Sequence, residues 1–209
     1  MLIAFIGYGE MGIQVYELLK QKYTAIKAVY FDDDLYRSKT KNAYPFKDYI
    51  RDDFKKYSFI ICLGYKHATL KTKIYKRLLK LDRKNLSFVH STCFVSKSAV
   101  IGAGSVLYPM CNIDKEVKIG NAVLLNNSVV VSHNSSIGNS CYLSPGVVLS
   151  GNVTIGDDTF LGTGVLVSNG INVGKNVVAG IGTVITKNIP DNSYVVGNPM
   201  RFVERLAIQ

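Results

Sequence analysis

Between Val95 and Pro190 the apolar positions recur every six residues, with no insertion or deletion. Each sixth residue from Val95, through Ile101, Leu107 and Ile113 to Ile185, is aliphatic. Four residues after each comes a small or β-branched side chain, as at Ala99, Ser105, Cys111, Val117, Val147 and Thr183. The residue after the aliphatic is often glycine, as at Gly102, Gly120, Gly138, Gly156, Gly162, Gly174 and Gly180. A helix repeats near 3.6 and a strand near 2, so neither alone makes this pattern. A short-period repeat predicts a solenoid. Each hexad reads as one flat side of a triangular coil. Its aliphatic points inward and its small residue sits near the wall. Gly, Asn and Asp take the turns that β-branched residues resist. Three hexads close a coil, so residues eighteen apart should stack on neighbouring coils.

The first ninety residues follow a different rhythm. Leu2 to Ile6 reads as a buried strand, and Gly7-Tyr8-Gly9-Glu10-Met11-Gly12 opens a helical pattern behind it. This is GxGxxG in the context it needs, where free N–H groups and a positive dipole end can meet a phosphate. A second strand, Ile26 to Phe31, ends at Asp32-Asp33-Asp34. Acids at that distance past the glycines are placed to grip a ribose hydroxyl. A third strand, Phe59 to Leu63, runs into Gly64-Tyr65-Lys66-His67, followed by a basic helix to about Lys80 and a strand at Leu86 to Val89. The pattern predicts an α/β Rossmann-like βαβαβ domain over residues 1–90, then an all-β domain over 91–209 with a C-terminal tail. One mononucleotide half without a second favours a single nucleotide over NAD.

Charge sharpens the division. Residues 1–90 hold 18 Lys and Arg against 9 Asp and Glu, while residues 91–209 hold 7 against 6. The basic half could face a phosphorylated small molecule or simply water. Its lysines (Lys20, Lys39, Lys55, Lys71, Lys80) are scattered, and no nucleic-acid motif accompanies them. No apolar run reaches the ~18 residues of a membrane span, and Met1 to Gly7 lacks the basic flank of a signal peptide. Four cysteines (Cys62, Cys93, Cys111, Cys141) show no CxxC spacing and read as reduced thiols of a cytoplasmic protein without a metal site.

Of three histidines, His67 and His90 read as local structure. His133 takes the third position of its hexad, so its side chain should point out of the coil. Eighteen residues on lies Gly151, with no side chain to shield its N–H. A base and a backbone donor on adjacent coils suit acyl transfer from a thioester. The base takes a proton from the attacking group, and the N–H stabilises the oxyanion.

The unbroken hexads resemble those of the hexapeptide-repeat acyltransferases, whose fold is the left-handed parallel β-helix. With a small Rossmann-like domain ahead of the repeat, the chain resembles the nucleotide-sugar N-acetyltransferases of bacterial surface-glycan pathways. The sialic acid O-acetyltransferases are a more distant likeness. The resemblance implies that the nucleotide sugar is held at Gly7, Tyr8 and Gly9, at Asp32 and Asp33, and at Gly64, Tyr65 and Lys66. His133 matches the catalytic histidine and Gly151 the glycine that meets the thioester carbonyl. Asn134 stands where the family commonly has Asp or Glu, and Tyr142 replaces a second histidine near the acetyl-CoA thioester. Acetyl-CoA contacts are implied at Gly162, Thr163, Gly180, Ile181 and Arg201. The β-helix of this family trimerises and binds acetyl-CoA between subunits. Few charges surround Val165, Val167 and Ile171, which marks that stretch as a face for a neighbour to cover.

The expected activity is acetyl-CoA-dependent N-acetylation of a nucleotide-linked amino-deoxy sugar, with no nucleic-acid partner and no membrane insertion. The weak helper Asn134 favours an amine acceptor, which is already nucleophilic, over a hydroxyl. Sugar O-acetylation and a catalytically silent trimeric scaffold are the alternatives. No hydride-transfer site follows the glycine fingerprint, which counts against an oxidoreductase.

Overall fold

A computed structural model of the chain describes residues 1–204. It divides into two compact units, Met1–Phe88 and Val89–Gln209. The tail of the second unit beyond Glu204 lies outside the described residues.

The first unit is a parallel sheet in the order β3-β2-β1-β4-β5. Its elements are β1 (Leu2–Ile6), α1 (Glu10–Lys22), β2 (Lys27–Phe31), α2 (Asp33–Arg37), β3 (Ala43–Tyr44), β4 (Ser58–Ile61), α3 (Ala68–Lys80) and β5 (Lys84–Asn85). The central strands β1 and β4 are apolar except for the buried Ser58, because helices and loops cover both faces. Ile3, Ala4, Phe5, Ile6, Phe59 and Ile60 are all fully buried. The order reverses between β1 and β4, so their carboxyl ends flank the switch point where such sheets bind ligands. β4 stops two residues short of the expected Leu63, and the expected strand at Leu86–Val89 splits into Lys84–Asn85 and Phe88–Val89. The short helix α2 and the edge strand β3 carry too little periodicity to be read in advance. The basic helix also departs from a solvated picture. α3 buries Lys71 with Ile74, Tyr75 and Leu78, a spacing of one helical stripe, so the Lys71 stem joins the core.

The second unit is the solenoid, a left-handed parallel β-helix. Two-residue strands stack eighteen apart on three faces, for example Asn112–Ile113 on Val130–Val131 on Val148–Leu149. Backbone N–H groups reach carbonyls seventeen residues on, such as Val130 N to Val147 O and Ser132 N to Leu149 O. From Leu107 to Ile185 the aliphatic column is buried without a break. The second column lies as deep, which the expected position near the wall understated. Ser105, Ser135, Thr159 and Thr183 are at most 1% exposed. Each of these hydroxyls is satisfied: Ser135 Oγ donates to Ser150 O (3.1 Å) and accepts from Val153 N (3.1 Å). Thr159 does the same with Gly174 O and Val177 N. Polar atoms survive in this core because the ladder supplies partners to them.

Two further expectations change. Val165 and Val167 are 0% and 2% exposed inside the coil, so they belong to the core rather than to a face awaiting a neighbour. The glycines after the aliphatics do not make the turns. The left-handed backbone falls two positions later, at Ser128, Asn134, Ser140, Gly146, Asn152 and Gly164. The glycines instead permit close stacking. A Cβ on Gly156 would lie 2.6 Å from both Gly174 C and Lys175 N. All four cysteines are free; Cys93 is half-buried and the others are buried. The Cys93 thiol is lowered to about 7, chiefly because Cys111 hydrogen-bonds its sulfur, and burial pushes Cys62 up to about 12.

Because backbone cannot yield as a side chain can, Gly156→Ala should cost about 1–3 kcal/mol of stability. Chemical denaturation of the variant checks this. An unchanged midpoint would show that the coils can part without cost.

Candidate functional site

The third residue of a hexad sits at a coil edge, just before the left-handed turn. On one edge the next coil caps its N–H. Ala103 N donates to Asn121 Oδ1, Asn121 N to Asn139 Oδ1 and Asn139 N to Asp157 Oδ1. The edge carrying His133 and Gly151 differs. Gly151 O accepts from Gly170 N (2.9 Å), but Gly151 N–H has no partner among the described residues. The His133 ring occupies the space where a Gly151 side chain would begin. A Cβ on Gly151 would be 2.5 Å from His133 Cε1 and 2.6 Å from Nε2. Asn169, one coil further along the same edge, brings its Oδ1 to 2.9 Å from that point.

Asn134 has a left-handed backbone, φ 61°, which Asn tolerates well. Its Oδ1 lies 3.2 Å from His133 Nδ1. An amide oxygen only accepts, so Nδ1–H is the donor and Nε2 keeps its lone pair. An imidazole nitrogen thus lies against the bare Cα of a residue whose N–H is free among the described residues. His90 is engaged locally with Thr92 Oγ1 (2.9 Å), and His67 sits at the start of α3.

In the first unit, the turn Gly7–Gly9 meets the loop after β4. Gly7 is left-handed (φ 78°), and a Cβ there would fall 2.9 Å from Leu63 Cδ2 and 3.1 Å from Cys62 O. Gly12 packs against Tyr8 and Gly7 O, while Gly9 and Gly64 stand open with nothing within 4 Å. Asp32 braces this crevice. Its Oδ2 accepts from Tyr8 N (2.9 Å), and its Oδ1 caps α2 through Asp34 N and Leu35 N. The exposed Asp33 accepts from Phe46 N at 2.8 Å. Tyr8 turns back onto Tyr30, with ring centroids 4.2 Å apart, and burial raises its hydroxyl pKa. Tyr65 and Lys66 form the single turn that leads from Gly64 into α3.

A family profile, the bacterial transferase hexapeptide (six repeats), matches residues 134–169. That stretch of the solenoid therefore carries the repeat signature of these transferases. No curated protein matches its sequence. Among solved structures, the acetyltransferase domain of PglB from Neisseria gonorrhoeae is 28% identical, with a TM-score of 0.88. The match covers 97% of this chain and 99% of that one. The same domain has been solved in complex with acetyl coenzyme A. WeeI from Acinetobacter baumannii is 25% identical over 97% of this chain and 100% of that one, with a TM-score of 0.87. PerB from Caulobacter crescentus, solved with CoA and GDP-perosamine, shares the fold. It is 23% identical over 98% of both chains, with a TM-score of 0.89.

Other expected residues of this transferase stand apart from His133. Thr163 and the 78%-exposed Ile181 stack on a second edge of the prism. Gly162 and Gly180 pack under that edge; a Cβ on Gly162 would meet Ala179 O at 2.9 Å, and one on Gly180 would meet Val196 Cγ1 at 2.9 Å. Tyr142 stands on the face leading to it, with Asn126 Nδ2 donating to its hydroxyl (3.3 Å). Arg201 pairs with Val196 in the antiparallel strand that follows the last coil. Sequence reasoning missed Asn169, although one more step of eighteen from Gly151 reaches it. Among the described residues no cluster of His, Cys, Asp or Glu could hold a metal, and no helix is long and apolar enough to cross a membrane.

Gly151→Ala tests the site directly. The three nearest atoms to its new Cβ belong to side chains, so the coil should keep its stability while the His133 ring is driven aside. Alanine keeps the backbone N–H, so the loss is that of a displaced base, and turnover should fall roughly 10²–10⁴-fold. A variant of normal turnover would remove Gly151 from the chemistry.

Proposed function

We propose that this transferase is an acetyl-CoA-dependent N-acetyltransferase acting on a nucleotide-linked amino-deoxy sugar. The observation that carries the reading is the unpartnered N–H of Gly151, a residue whose Cβ position lies 2.6 Å from His133 Nε2. The acceptor amine attacks the thioester carbonyl carbon, and Nε2 accepts the proton that the nitrogen loses. The carbonyl oxygen gains charge and is held by Gly151 N–H. Collapse re-forms the carbonyl, breaks the C–S bond and expels the CoA thiolate, leaving an amide on the sugar. Asn134 holds the ring with Nε2 forward. The open glycines at the switch point, Gly9 and Gly64, give the nucleotide a place, with Tyr65, Lys66 and the remaining acceptor capacity of Asp33 around it. The acetyl-CoA complex of the PglB domain supports the donor, and the GDP-perosamine bound to PerB illustrates the class of acceptor. The same reading places the reaction in the cytoplasm, supplying surface-glycan assembly, as the resemblance implies.

Within one chain the His133 edge and the Thr163–Ile181 edge lie at different corners of the prism. A donor touching both, with Arg201 near its phosphates, would span two copies. One face carries an outward row in register, Phe94, Asn112, Val130, Val148, Leu166 and Val184, with Phe94 60% and Leu166 44% exposed. Apart from the exposed Asn112 the row is apolar, which suits a homotrimer. Sedimentation should give three times the 23.0 kDa chain mass; a monomer would end the intersubunit donor site.

His133→Ala should lower kcat by roughly 10²–10⁴ and leave acetyl-CoA affinity nearly unchanged. Raising the pH should restore part of the rate, because an amine also deprotonates in solution. A hydroxyl acceptor would show no such rescue, which would move the reading to O-acetylation. Wild-type kcat in the variant would remove His133 from the chemistry, and no turnover of any amino-sugar nucleotide by the wild-type chain would leave only a binding scaffold.

A further inference from the structure

Along the active edge the outward positions run His133, Gly151, Asn169, each one coil beyond the last. Asn169 is exposed and makes no hydrogen bond among the described residues. On the neighbouring edge Asn121 and Asn139 occupy the equivalent place and cap the N–H of the previous coil. Asn169 could do the same for Gly151, yet it leaves that N–H open while its Oδ1 leans to 2.9 Å from the Gly151 Cβ position. His133 closes the opposite side of the same point, so a donor whose carbonyl sits on Gly151 N–H leaves past Asn169.

We infer that Asn169 positions the acyl donor by accepting a hydrogen bond from the first amide N–H of its cysteamine arm. This rests on the proposed use of acetyl-CoA. Four bonds separate the thioester carbonyl carbon from that amide nitrogen, about 5 Å when extended. Neighbouring coils are spaced by one strand separation, about 4.8 Å. The coil repeat therefore matches the donor's own spacing. The carbonyl falls on the Gly151 coil and the amide runs on towards the next, with the Asn169 side chain reaching back from that coil to meet it.

The test compares two small thioesters, S-acetyl-N-acetylcysteamine, which has the amide, and S-butyl thioacetate, which lacks it. In Asn169→Ala, KM for the amide-bearing thioester and for acetyl-CoA should rise about three- to tenfold, the range of one neutral hydrogen bond. Values of kcat and the thermal midpoint should hold. The variant should use S-butyl thioacetate as well as wild type does, and Asn169→Asp, which keeps an acceptor oxygen, should restore most of the loss. Equal losses with both thioesters, or none with either, would overturn the assignment. Calorimetric affinity for acetyl-CoA gives a readout free of the acceptor. If wild type binds acetyl-CoA but acetylates no amino-sugar nucleotide, the proposed reaction fails, while a weaker affinity in Asn169→Ala still supports the contact and an equal one refutes it.

Discussion

The solenoid depends on one constraint: each strand from Phe94 to Ile185 has only two residues, so its backbone groups must find partners on the next coil. That requirement holds the period at eighteen. It brings backbone so close at Gly156 that a methyl group has no room, and it supplies partners to hydroxyls buried in the core. The edges inherit the register. His133 meets Gly151 because the chain between them contains three unbroken hexads, and no long-range packing choice is needed to align them.

The two units solve the problem of presenting polar chemistry differently. The Rossmann-like unit uses strand ends. Its turn at Gly7 is held by Asp32, whose two oxygens join the turn to the start of α2. The solenoid uses edges, where a residue can be exposed while its neighbours on both sides along the chain are fixed by the ladder. A side chain on such an edge loses little additional freedom when it binds, because the backbone beneath it is already rigid.

Most of the solenoid was legible because hexad position maps directly onto direction. Val95 to Ile185 pointed inward as the period required, and His133 pointed out over Gly151. What misled was chemistry read without register. Gly after the aliphatic looked like a turn residue, but Asn134 and Gly146 make the turns and Gly156 makes room. Val165 and Val167 looked like a surface because charges were sparse, yet the same columns made them core. In the first unit, β1 and α1 followed from the fingerprint. Lys71 could not be placed, since a lysine in an apolar stripe looks like any other basic helix residue until its neighbours are known. Asp32 was found at the right strand end, but its bond to Tyr8 N depends on how the turn folds back, which no spacing encodes.

The edge that carries Gly146, Gly164 and Gly182 has a further meaning. These glycines are left-handed, and nothing stands within 4 Å of where their side chains would begin. Each donates its N–H to the previous coil, Gly146 to Asn127 O, Gly164 to Pro145 O and Gly182 to Thr163 O, so chain that left the coil there would give up one edge bond and keep the strand ladder. A solenoid so strict in its interior thus has a seam where an inserted loop meets no steric barrier and costs a single edge bond. Such loops would change what the surface recognises while His133 and Gly151 stay in register.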